Sequence, residues 1–182
     1  MQRSHRLIVL LALGIFCAGD VALLEDTSFH SFLSGLGFFL VAILLYCFYL
    51  YRQTRYDIDR LIPFLAISLL ISLSLIYLMY DGLNNLLIPV IAYMAIVLNF
   101  LKLAYLRYKN VNIRSYRLVF LGAAFFTIAQ ILIGLNRFYR PLPYKDVYIM
   151  FFYGFAQLMI IVGILVISYP DKKQQVEEIP LV

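Results

Sequence analysis

Asp20 is the carboxylate that lies inside an apolar run of this chain, in the stretch "FCAGDVALL". A carboxyl group facing the interior of a membrane bundle is held in its neutral form by desolvation, and that form can act as a general acid. Depth allows a second reading. Asp20 stands four residues before Leu24, which is about 6 Å at 1.5 Å per residue. A charge at the interface costs far less than one at the bilayer centre. There Asp20 is a helix-end carboxylate reaching headgroups or water, with Glu25 and Asp26 beside it. The neutral polar candidates within apolar runs are Asn99, Gln130 and Gln157, with Tyr46 and Tyr93 as inward-facing candidates and Asn136 and Arg137 at an outer helix end. A buried glutamine either joins helices by hydrogen bonds or orients a lipid headgroup or a water. Lys102 lies near a helix end and reads as a snorkelling anchor.

Other chemistries lack their residues. His5 and His30 are the two histidines, and Cys17 and Cys47 the two cysteines. Neither pair has metal-ligand spacing, so no metal site is expected. The cysteines read as small packing residues and His30 as a solvated loop residue. Phosphate-binding loops, serine elbows and zinc-protease motifs are absent, and no cofactor is expected.

The elements that must position these residues are membrane helices. The chain of 182 residues is 64% hydrophobic and 14% charged, against roughly a quarter charged for a soluble domain. Six apolar runs lie near the length that crosses a hydrocarbon core as helix. They are Arg6 to Leu24, Ser31 to Tyr51, Leu61 to Tyr80, Leu86 to Leu106, Leu118 to Leu135 and Val147 to Tyr169. Short connections between them predict an all-α, up-and-down bundle, one polytopic domain over residues 1–169. The polar tail, 170–182, reads as disordered. A cleaved signal peptide is the other reading of the first run, but that run continues past a normal cleavage region.

Basic residues sort by side. Twelve fall at the N-terminus, in the second connection, around the fourth and in the tail, against Arg137, Arg140 and Lys145 on the other side. The positive-inside rule then puts both termini in the cytoplasm. The net charge of +5 therefore reads as membrane topology rather than nucleic-acid binding. Tyrosines at run ends form an aromatic belt. Compact loops without a separate targeting signal favour a bacterial inner membrane. The oligomeric state is left open.

The order of fragments carries a resemblance. "GDVALL" precedes "FLSG" and a helix bearing Tyr46, and later come "GAAFF", "NRF" and "YGFAQLMIIVG". From about residue 7 to residue 165 the chain resembles the YhhN family, whose animal members are lysoplasmalogenases. The matching positions are Gly19, Asp20, Leu23, Phe32, Gly35, Tyr46, Tyr93, Ala104, Gly122, Ala123, Phe126, Tyr153 and Gln157. The resemblance implies a membrane hydrolase that cleaves the vinyl ether of a lysoplasmalogen to a fatty aldehyde and a glycerophospho-headgroup. The implied partner is a lysophospholipid-like membrane lipid. The implied acid is Asp20, with Gln130, Gln157, Tyr46, Tyr93 and Asn136 shaping the substrate site.

The chain departs from the family in four places. Ala129 and Gln130 stand where members usually carry a Ser-Asp pair, Ile43 where they carry a histidine, and Phe100 where they carry a methionine. The chain also begins almost at the "GD" helix, which in members usually follows two further helices with a Lys-Pro element. Glutamine can neither donate a carboxylic proton nor act as a base. A second reading is therefore a family member that has lost catalysis and binds or senses a lipid. A transporter has less support, because few polar groups are available to line a path.

Overall fold

The computed structural model describes residues 2–24 and 29–167, and among them every regular element is a helix. The order is α1 (Gln2–Leu24), α2 (Phe29–Tyr51), α3 (Ile58–Leu83), α4 (Leu87–Leu106), α5 (Ile113–Phe138) and α6 (Lys145–Ile167). A 3-10 turn, Asn84–Leu86, joins α3 to α4. The tail expected over 170–182 lies outside the described residues.

Four stretches are long and apolar enough to cross a membrane: His30–Tyr51, Ile58–Leu106, Ile113–Phe138 and Lys145–Val166. Leu7–Leu23 is a shorter apolar helix. The stretch Ile58–Leu106 has 49 residues. As one helix it would run about 74 Å, more than twice a hydrocarbon core. It breaks at Asn84, whose φ is 42°, and α3 and α4 pack on each other.

Every helix but α4 starts earlier than the hydropathy suggests, and in α3, α5 and α6 the first turns are polar. Asp57 caps α3, its side chain accepting from Asp59 N at 3.2 Å. Asn112 caps α5 in the same way, accepting from Arg114 N at 2.8 Å. These caps satisfy N–H groups that an α-helix cannot pair itself. Polar Lys145 and Asp146 open α6.

Connections meet at two ends. At one end lie the α2–α3 and α4–α5 links, where Arg107 is 0% exposed. Its Nε and Nη2 donate to Gln53 Oε1 at 3.1 and 2.7 Å, and Nη2 also reaches Ser115 Oγ at 3.4 Å. Ser115 Oγ in turn donates to Gly163 O at 2.6 Å, so the arginine ties the α2–α3 link to α5 and α6. Nη1 has no partner. Burial pulls the Arg107 pKa down to about 10, which leaves the side chain charged at neutral pH. At the other end Phe32 meets Phe138 with ring centroids 6.1 Å apart. Gly82 also lies against the Phe138 backbone there.

Packing is tightest between α1 and α2 and between α5 and α6. A Cβ on Gly19 would meet Phe39 at 2.6 Å, and one on Gly35 would meet Leu23 at 2.6 Å. On α6 a Cβ at Gly163 would stand 2.6 Å from Val119 Cγ2 and 3.0 Å from Val119 N. Small residues at such crossings let helix backbones approach. At Gly14, Gly37 and Gly154 an added Cβ would meet no atom within 4 Å, so these glycines mark no close helix crossing. They lie on helix faces turned away from neighbours. Cys17 is likewise exposed rather than packed, while Cys47 is buried and accepts from Asn99 Nδ2 at 3.6 Å.

Gly163→Val is expected to destabilise the bundle by about 1–3 kcal/mol through overpacking. Gly14→Ala is expected to stay within about 0.5 kcal/mol. Thermal unfolding midpoints in one detergent compare the two.

Large rings fill the space between the α1–α2 pair and the α5–α6 pair. Phe16 is 1% exposed and lies within 5.6 Å, centroid to centroid, of Phe39, Tyr46 and Phe126. By contrast α3 is peripheral. Its buried residues are Ser68, Met79 and Leu83, while Ile62, Leu69, Leu70, Leu73 and Tyr77 face outward.

Candidate functional site

Three polar pairs lie within the bundle, each joining two helices. Asp20 on α1 is partly buried, and its Oδ2 accepts from Tyr153 OH on α6 at 3.1 Å. Tyr46 OH on α2 donates to Gln157 Oε1 on α6 at 3.0 Å. Tyr93 OH on α4 donates to Gln130 Oε1 on α5 at 2.7 Å. The Nε2 atoms of Gln130 and Gln157 are buried without partners. A buried amide donor left unpaired is costly, so these two atoms are poised to take an acceptor.

The ring layer holds the first pair in place. Tyr153 stacks on Phe39 at 5.7 Å and 17°, and meets Phe16 edge-on at 6.1 Å. Phe126 approaches the same ring at 6.2 Å. Asp20 therefore sits at the α1–α6 seam with a neutral phenol on one oxygen. Asp20 is itself only partly buried, and its neighbour Val21 is exposed.

The third pair opens into a cavity of about 440 Å³ between α2, α3, α4 and α5. Phe64, Met79, Val97 and Phe120 are among its apolar walls, with Tyr93 and Gln130 as its polar contact points. Ser72 and Thr127 also line it, but their hydroxyls donate to Ser68 O at 2.7 Å and Ala123 O at 2.8 Å of their own helices. The Gln130 Nε2 is thus an unspent donor beside a mostly apolar chamber. Sites for small ligands have this character, mostly apolar with a few placed polar groups.

The structure distributes the candidate residues rather than gathering them. Gln130 and Tyr93 share the cavity. Asp20, Tyr46 and Gln157 belong to the ring layer, outside the cavity lining. Asn136 stands outside it too, with its Oδ1 accepting from Leu142 N at 3.0 Å and shaping the α5–α6 link. Ile43 is 0% exposed and packs in the core.

Two contributors were missing from the sequence-based set of site residues. Tyr153 is the partner of Asp20, and Phe16 is the centre of the ring layer. Tyr153 lies eight residues into α6, about 12 Å. That depth, too great for an interfacial belt, was one available signal, and its place among the positions that match the family was another. Among the described residues no three His, Cys, Asp or Glu side chains gather as a metal site.

The sequence model of the YhhN family matches residues 1–164 of the chain. No curated protein and no solved structure matches it.

Proposed function

Because the chain belongs to the YhhN family, we propose that it is a lysoplasmalogenase-like membrane protein acting on single-chain vinyl-ether lipids. The observation that carries this reading is the Asp20–Tyr153 pair, a partly buried carboxyl oriented by a phenol donor from α6. Asp20 transfers its Oδ1 proton to the outer alkene carbon of the vinyl ether. The alkene π electrons form the new C–H bond, and the ether oxygen stabilises the adjacent cation as an oxocarbenium ion. The Tyr153 hydroxyl keeps its hydrogen bond to Oδ2 and stabilises the carboxylate left behind. The Asp20 carboxylate next takes a proton from water as the water oxygen bonds to the cationic carbon. The hemiacetal then collapses to a fatty aldehyde and the freed glycerol hydroxyl. One carboxyl thus serves as acid and then as base.

A second reading rests on Gln130. The cavity holds an amide where an acid stands in the family, and that arrangement suits binding of an alkyl chain with an acceptor oxygen. In this reading the protein retains a lipid without cleaving it. Purified protein given a lysoplasmalogen tests the pair. Aldehyde release above background supports hydrolysis. Saturable retention of intact lipid with no release supports the binding reading and rules out the hydrolase.

The proposed topology has six crossings with both termini in the cytoplasm, in a bacterial inner membrane. The basic residues support it, twelve lying on one side and three on the other. Cysteine-accessibility labelling from the two sides of the membrane at Arg55 and Arg140 tests it. Equal labelling from one side would overturn it.

A further inference from the structure

A second cavity, of about 660 Å³, lies at the opposite end of the bundle from Asp20. The α2–α3 link, the start of α3 and the end of α4 build it. Its charged lining is Arg55, Arg60 and Lys109, with Asp57 and Asp59. Tyr56, Tyr108 and Asn110 add polar and aromatic wall.

Arg60 is fixed rather than free. Its guanidinium carbon lies 4.3 Å from the Tyr105 ring centroid and 4.5 Å from that of Tyr108. Its Nη2 donates to Tyr116 OH at 3.3 Å. A guanidinium held against two rings and tied to a phenol oxygen has little entropy left to lose when its remaining N–H donors bind an acceptor. Arg55 and Lys109 are exposed at the rim. The Asp57 carboxylate is engaged with the Asp59 backbone N–H. Behind the wall stands Arg107, a buried cation whose side-chain partners Gln53 and Ser115 are neutral. The cavity therefore holds three cations against two carboxylates, with an additional buried positive charge beside it.

We propose that this cavity binds the phosphate of an anionic membrane lipid headgroup. Arg60 supplies the fixed donor fork, which suits phosphate oxygens. Arg55 and Lys109 close over the same phosphate from the rim, each adding attraction for an anionic surface. The Tyr56 and Tyr108 rings suit the headgroup depth of a bilayer, where aromatic residues collect. The cavity lies at a polar end of the bundle, beside the ends of the apolar helices α2 and α4. This site is separate from the Asp20 seam and does not depend on any activity there.

The test uses the full chain in nanodiscs or detergent, with phosphatidylglycerol and phosphatidylcholine offered as equal mixtures. Lipid retained by the protein is read by native mass spectrometry. The wild type is expected to retain phosphatidylglycerol over phosphatidylcholine. Arg55→Gln with Lys109→Gln is expected to reduce that preference on the order of tenfold at an unchanged unfolding midpoint. Arg60→Gln is expected to reduce it as well, and Arg60→Lys to restore part of it. Equal preference in the wild type and the double variant overturns the proposal. Displacement of the lipid by free glycerol 3-phosphate at low millimolar concentration also overturns it, by assigning the site to a soluble phosphate ester.

Discussion

Under the proposed hydrolysis, Asp20→Asn is expected to lower aldehyde release from a lysoplasmalogen by about 10²–10⁴-fold, the loss that follows removal of one positioned acid–base group. The substitution is nearly isosteric. The amide oxygen of asparagine still accepts from Tyr153 OH, so the 3.1 Å contact between α1 and α6 survives. Only the transferable proton is lost. The unfolding midpoint is therefore expected to move little while the rate collapses. Tyr153→Phe has a milder effect, because the acid remains and only its orientation and the stabilisation of its anion are reduced. Leu23→Ala, in the same helix and partly buried against Gly35, serves as a control for packing loss alone. Release by Asp20→Asn at the wild-type rate would mean that the proton comes from another group.

Arg107→Ala is expected to be the most destabilising single change at the basic end, by roughly 3–5 kcal/mol. The residue is fully buried and large, so truncation leaves a void and removes the hydrogen bonds that tie Gln53 to Ser115. Two effects oppose each other here. The charge itself is costly, since its side-chain partners are neutral and Nη1 has none. Filling the space without the charge should recover most of the loss. Arg107→Met keeps the volume, Gln53 is partly exposed and finds water, and Ser115 keeps its bond to Gly163 O. The expected order of unfolding midpoints is alanine well below methionine, with methionine near wild type. Equal loss in both variants would show that the hydrogen bonds outweigh the packing.

The helices were legible because lipid leaves the backbone few alternatives, and long apolar runs then name the spans. Their starts were less legible. The first turns of α3 and α5 are polar, and capping by Asp57 and Asn112 begins those helices before hydropathy rises. Pairings were not legible at all. Asp20 meets Tyr153 across 133 positions and Tyr93 meets Gln130 across 37, and no local pattern encodes which faces turn toward each other. The glycines make the same point. Gly163 and Gly154 share one helix and one residue type, yet one sits against α5 and the other faces open space. The cavity beside Gln130 depends on the shapes of side chains from four helices, which residue type alone does not specify.

The outward-facing helix α3 forms one wall of that cavity, and its far side is Ile62, Leu69, Leu70 and Leu73. A chamber walled by a lipid-facing helix exchanges its contents with the bilayer rather than with water. Occupancy then follows surface dilution. Diluting a single-chain lipid with inert bilayer lipid at constant total substrate should lower its binding, whereas diluting the whole suspension with buffer should not. On the proposed reading that the chamber takes a single-chain lipid, the relevant concentration scale is therefore mole fraction within the membrane.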